Sequence, residues 1–181
     1  ESAERIRALG FFATAEVDVR EGSSASQVVV DVYVEEQPTG SLNLGGAYSV
    51  EDGFGVAIGL TENNFLGRGQ RFSFNISTAQ DSEEYTLGFT EPHLLGRDLR
   101  FDLDLGVSET DSSFSDYDTS RAFITPSLSF KTGDSSQLSV RYVWDQDEMI
   151  SRGDDGNGDP FAGPVVRNEI NQGELVSSGI G

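Results

Sequence analysis

The 181-residue sequence predicts a mostly β protein. It reads as a partial transmembrane antiparallel β-barrel, about eight strands of a larger barrel, preceded by the helix-hairpin end of an αβ domain. Three observations carry this. Apolar and polar residues alternate with period two through successive runs, giving each strand one apolar and one polar face. The runs reach roughly 9–11 residues, the length that crosses a bilayer when tilted. Finally, TENNFLGRGQRF at 61–72 returns 29 residues later as TEPHLLGRDLRF at 90–101, a step of two strands and two connections.

The N-terminal part is different in kind. ESAERIRAL (1–9) reads as the end of a helix, with Gly10 placed as its C-terminal cap. FATAEVDVR (12–20) and SQVVVDVYVEE (26–36) flank the polar turn EGSSAS and read as a hairpin. A piece this short cannot bury a full core, so it is expected to close a larger αβ domain. QPTG (37–40) breaks the pattern, because proline interrupts a ladder and glycine loosens the chain. The expected domains are 1–37 and 38–181.

From there the alternation is continuous. The first run is apolar at Leu42, Leu44, Tyr48 and Val50. The second (54–62) has Phe54, Val56, Ile58 and Leu60, and the third (71–79) has Phe72, Phe74 and Ile76. The fourth (84–91) has Tyr85, Leu87 and Phe89. The fifth (98–108) has Leu99, Phe101, Leu103, Leu105 and Val107 opposite Arg100, Asp102 and Asp104. The sixth (120–131) has Ile124, Leu128 and Phe130. The seventh (136–145) has Leu138, Val140, Tyr142 and Trp144 opposite Arg141 and Asp145, and an eighth begins near Glu174.

A soluble sandwich would alternate too. The polar faces are rich in Gly, Ser, Thr, Asp and Arg, as a wet lumen requires. With strands running alternately up and down, Tyr48, Phe54, Tyr85, Tyr142 and Trp144 fall towards one rim. Phe72, Phe74, Phe89, Phe101 and Phe130 fall towards the other, as two aromatic girdles would. The long connections near 109–119 and 146–173 are expected outside the cell and the shorter turns in the periplasm. Gly67 and Gly96 permit the repeated turn, and Arg68 and Arg97 fall at headgroup level.

Composition narrows the function classes. There are 12 basic and 31 acidic residues, a formal charge of −19, so nucleic acid is not an expected partner. The absence of cysteine excludes a disulfide framework and a thiolate zinc site. No apolar run is long enough for a transmembrane helix. The chain opens without methionine and closes in SSGIG, which reads as mid-strand, so a fragment is expected.

Features that suggest chemistry are better explained structurally. Asp155, Asn157 and Asp159 have the spacing of the first ligands of a calcium loop, but Pro160 and Val166 stand where Gly and Glu are needed. The single histidine, His93, reads as a turn residue. Arg100, Asp102 and Asp104 read as lumen charges satisfied by water and one another. No GxSxG, HExxH or phosphate-loop pattern occurs. No enzyme, metal or cofactor is expected.

The segments RIRALGFFATAEVDV, EEQPTGSLNLGGAYS, TENNFLGRGQRF and TEPHLLGRDLRF resemble, in turn, parts of the BamA family, the central subunit of the bacterial outer-membrane protein assembly machinery. They are similar to the end of the last periplasmic POTRA domain, the junction into the first barrel strand, and two early periplasmic turns. The resemblance implies a sixteen-stranded barrel, of which this chain would hold the first half. It implies a protein that folds and inserts β-barrel clients into the outer membrane of a Gram-negative bacterium. Its implied partners are unfolded barrel clients, accessory assembly lipoproteins bound through the POTRA region, and outer-membrane lipid. Related POTRA-linked barrels that secrete or translocate proteins, and a passive channel, are the alternatives.

The resemblance also gives the first run a role. Ser41, Leu42, Asn43, Leu44, Gly45, Gly46, Ala47, Tyr48, Ser49 and Val50 would border the closure seam, where a client strand adds by β-augmentation. Read from residues alone, Gly45 and Gly46 fit a loosely paired strand or a tight barrel bend equally well.

Overall fold

The computed structural model describes residues 2–24, 26–50, 53–111, 117–133, 135–151, 165, 168 and 173–181. It divides into two compact units, Glu1–Gly40 and Ser41–Gly181.

In the first unit a single short helix, α1 (Ser2–Ala8), leads into an antiparallel ribbon of β1 (Phe12–Glu21) and β2 (Val28–Glu36). The helix stops at Gly10, which takes the left-handed conformation (φ 75°) and donates its N–H to the Arg7 carbonyl. The Arg7 guanidinium in turn donates to the carbonyl of buried Ala15, fixing helix to strand. The ribbon pairs Val17 with Val32 and Val19 with Val30. Val19, Val30, Val32 and Val34 remain exposed, since two strands alone cannot enclose a core.

The second unit is one antiparallel sheet. Its strands are β3 (Gly40–Ser49), β4 (Gly53–Phe65), β5 (Gln70–Thr78), β6 (Ser82–Glu91), β7 (Leu99–Thr110), β8 (Tyr117–Gly133), β9 (Ser136–Ser151) and β10 (Glu174–Ile180). They lie in sequence order from β3 to β10, and the sheet is not closed. Short connections favour this order from β3 to β9, because a tight turn joins antiparallel neighbours; the long connection before β10 does not by itself require it.

The register explains the alternation. Ile58 pairs with Ile76, Ile76 with Tyr85, and Tyr85 with Val107. Leu87 pairs with Leu105, Leu105 with Ile124, and Ile124 with Trp144. These apolar rows therefore run across several strands on one face. The opposite face carries rows such as Ser73–Gly88–Asp104–Thr125.

The burial is inverted relative to a soluble protein. Leu44, Phe54, Val56, Ile58, Leu60, Leu138 and Val140 are exposed, whereas the polar side chains of Ser129 and Asp145 are buried. An exposed apolar patch spanning a whole sheet needs a non-aqueous neighbour. A lipid-facing exterior and a polar lumen supply one.

Four expectations change. β8 and β9 are 17 and 16 residues long, beyond the length needed to span a bilayer. The connection expected from 146 therefore starts after Ser151, and the one expected from 109 after Thr110. Tyr142 and Trp144 consequently lie mid-strand and not at a rim, and so does Phe74. Tyr48, Phe54 and Tyr85 do lie near strand ends on one side, with Phe72, Phe89, Phe101 and Phe130 near the ends on the other. Val50 falls just past the end of β3. Asp155, Asn157, Asp159, Pro160 and Val166 lie outside the described residues.

Candidate functional site

The two repeated turns share the same core geometry. In the first, Leu66 (φ 56°) and Gly67 (φ 69°) are both left-handed, and Arg68 donates its N–H to the Phe65 carbonyl at 3.2 Å. In the second, Leu95 (φ 56°) and Gly96 (φ 71°) repeat this, and Arg97 donates to the Leu94 carbonyl at 3.2 Å. Two successive positive φ values make a tight turn whose twist matches that of the flanking strands. The repeated Thr-Glu has a part in it as well. Glu62 accepts the Asn64 N–H at 2.7 Å, and Glu91 accepts the His93 N–H at 2.9 Å. His93 is thus a turn residue. Sequence reasoning identified the glycines but not Leu66 and Leu95, which hold a conformation costing a non-glycine residue about 1–2 kcal/mol.

The polar face is organised in rows and pairs. Arg71, Thr90, Asp102, Ser127 and Arg141 are register neighbours across five strands. They line a basin of about 450 Å³ together with Asp104 and Thr125. Asp102 accepts from the Thr90 hydroxyl at 2.7 Å and from Arg100 at 2.7–2.9 Å. Arg100 and Asp102 satisfy one another on the polar face, and such a half-exposed pair contributes at most about 1 kcal/mol.

A second polar cluster was not legible in the sequence. Arg121 makes a two-pronged contact to Asp145, at 2.9 and 2.6 Å, and its guanidinium lies 5.8 Å from the Phe123 ring centre. Phe123 in turn lies directly over Gly106, its partner in the register. A methyl group at 106 would sit 2.4 Å from Phe123 Cε1, so only glycine fits beneath the ring.

The residues expected at the seam, Ser41 to Ser49, form β3, the terminal strand of the sheet. One side of β3 faces β4, and among the described residues no strand lies on the other. Leu42, Leu44 and Tyr48 are exposed. Gly45 and Gly46 border a depression of about 350 Å³ lined by small residues, among them Ala47, Gly55, Ala57 and Ser77. A Cβ at 45 would meet nothing closer than Ala57 Cβ at 4.0 Å, and one at 46 nothing closer than the Gly55 carbonyl oxygen at 3.7 Å. The glycines are therefore not enforced by crowding. Their effect on β3 is backbone freedom and the lack of side chains to pack.

Among the described residues no group of three or more His, Cys, Asp or Glu side chains converges as a metal site would. The chemistry on offer is backbone pairing between strands, with an apolar face on one side of the sheet and a polar face on the other.

Comparisons with known proteins agree with this architecture. Residues 64–174 match the family model of the Omp85 superfamily domain. The chain is 36% identical over 87 residues to the outer membrane protein assembly factor BamA of Neorickettsia risticii (strain Illinois), a match covering 48% of this chain and 12% of that protein. The fold resembles the crystal structure of BamA from Haemophilus ducreyi lacking POTRA domains 1–3. That likeness has a TM-score of 0.69 and 19% identity, and covers 99% of this chain and 35% of the other.

Proposed function

Because the chain belongs to the Omp85 superfamily, and is thereby an outer-membrane β-barrel protein, we propose that it folds and inserts other barrel proteins into the outer membrane of a Gram-negative bacterium. The observation that carries the proposal is the setting of β3, the first strand of the meander, where Gly45 and Gly46 border a depression lined by small residues. An incoming client strand would add to the edge of β3 by β-augmentation, its amides and carbonyls satisfied as it leaves water. In hydrocarbon an unpaired peptide group is costly, so an offered edge lowers the barrier to insertion.

No enzymatic step or nucleotide is needed. The free energy comes from the client's own backbone pairing and from apolar burial in lipid. The seam must be weak for partners to exchange. Each net hydrogen bond is worth about 0.5–1.5 kcal/mol, so a short pair held by a few of them opens thermally. Residues 1–37 are read as the end of a periplasmic POTRA domain, through which accessory lipoproteins would dock. A POTRA-linked secretion barrel shares all these features except client templating at β3. A passive channel would have no use for the N-terminal unit.

The test is a reversible lock in the full-length protein. A disulfide joining residue 43 of β3 to the last barrel strand should stop client insertion, and reduction should restore it. Insertion at the normal rate by the locked protein would remove the edge from the mechanism and leave channel or secretion function.

A further inference from the structure

Leu66 and Leu95 hold strained backbone at the same point of two neighbouring turns on one rim, and neither side chain packs within the fold. They are 75% and 85% exposed. Glycine or asparagine would take the left-handed conformation with less strain. A third connection on the same rim, between Gly133 of β8 and Ser136 of β9, has no leucine in its sequence. Reversing the chain here does not demand leucine. An exposed arginine, Arg68 or Arg97, follows each leucine by two residues. The first tip also adjoins the aromatic band on the apolar face, where Phe65 stacks on Phe72 at 5.3 Å between ring centres.

Basic side chains also gather at this rim. Arg68, Arg71, Arg97, Arg100 and Lys131, five of the chain's 12 basic residues, lie at or beside these three turns. Arg100 is paired with Asp102 and Lys131 with Asp98, so the exposed tip arginines Arg68 and Arg97 are the candidates for an external anion.

We propose that the two tips are lipid anchors. Leu66 and Leu95 enter the acyl boundary of the adjacent leaflet, and Arg68 and Arg97 bind the phosphates of anionic phospholipid. Taking a leucine side chain out of water offsets the strain of its backbone. The guanidinium matches a phosphate geometrically as well as in charge. A flat anionic surface also explains why the leucine–glycine–arginine tip occurs twice. The tips are one hairpin apart, about 10 Å at the usual strand spacing. A membrane meets both alike, whereas a protein partner would need a repeated surface.

The inference rests on the reading that the sheet stands in a bilayer, so the test includes that reading as a control. The full-length protein is reconstituted in phosphatidylcholine vesicles with or without phosphatidylglycerol. A bimane label is placed through Leu66→Cys, Leu95→Cys or, on the apolar face, Leu103→Cys. The described residues include no cysteine to compete. Labels at 66 and 95 should be quenched by nitroxide near the headgroup, protected from iodide, and quenched several-fold more with phosphatidylglycerol. Arg68→Ser with Arg97→Ser should abolish that lipid dependence. Free access of iodide to both tips, with the label at 103 still quenched by deep nitroxide, would overturn the anchors and leave the barrel standing. Exposure of the label at 103 to iodide would overturn both. Protection from iodide without nitroxide quenching would mark a protein occupant and also overturn the proposal. Leu66→Asn with Leu95→Asn should keep or raise the urea midpoint while slowing insertion into anionic vesicles several-fold. A lowered midpoint with unchanged insertion would make the leucines structural and refute the anchoring.

Discussion

Replacing Gly106 by alanine tests a place on the polar face where an aromatic ring packs directly over a glycine. The new methyl group would lie 2.4 Å from Phe123 Cε1, 2.6 Å from Cζ and 3.2 Å from Thr86 Cγ2. The ring must swing away, and with it goes the guanidinium of Arg121, 5.8 Å from its centre. Overpacking of this kind costs about 1–3 kcal/mol. Disturbing the cation–π contact adds about 0.5–1 kcal/mol. Lower backbone entropy in the unfolded chain returns about 0.4–1 kcal/mol. The expected net loss is therefore about 0.5–3.5 kcal/mol. Gly45→Ala is the matched control, since its methyl group would meet nothing closer than 4.0 Å. It should be neutral or stabilising by up to about 1 kcal/mol. Urea unfolding of the full-length protein in vesicles, followed by tryptophan fluorescence and gel mobility, measures both. Phe123→Ala in the Gly106→Ala background should recover much of the loss, because contacting residues couple by about 0.5–3 kcal/mol. A neutral Gly106→Ala, or additive effects of the two substitutions, would refute the ring-over-glycine packing.

Cysteines at 103 and 140 should resist a water-soluble thiol reagent in intact membranes while cysteines at 104 and 141 react, because each pair occupies opposite faces in the register; equal labelling would contradict the assignment. Leu103→Arg should cost about 2–4 kcal/mol if the residue lies near the bilayer midplane, measured by the same unfolding experiment. Glu62→Ala and Glu91→Ala should each destabilise by about 1 kcal/mol, because each removes a carboxylate acceptor from a turn N–H; a loss at only one of them would show that the two turns are not equivalent.

The sheet was legible because alternation is a direct consequence of strand geometry. The run at 54–62 became β4, Gly53–Phe65, and the run at 71–79 became β5, Gln70–Thr78. Ends were less legible where a strand outruns the bilayer. The seventh run was closed at Asp145, but pairing of Met149 with Thr119 and Ile150 with Asp118 carries β9 further. Polar residues there weaken the alternation without breaking the ladder, so hydropathy alone stops short. The Arg121–Asp145 pair was hidden for another reason. Its members are 24 residues apart, and only the register brings them together. Leu66 and Leu95 escaped notice because leucine is not a residue that signals a left-handed turn. The edge character of β3 has a different origin from any of these. Nothing in the residues 41–49 distinguishes an edge strand from an interior one, since the alternation is the same. What distinguishes it is order. Short connections make each strand the neighbour of the next, so the first strand of the meander has a successor on one side only. Within a meander its second neighbour can only be the last strand, and that pairing closes a barrel. The strand that completes closure is therefore also the one whose outer edge opens when closure fails, and Gly45 and Gly46 lie in it without any steric reason to be glycine.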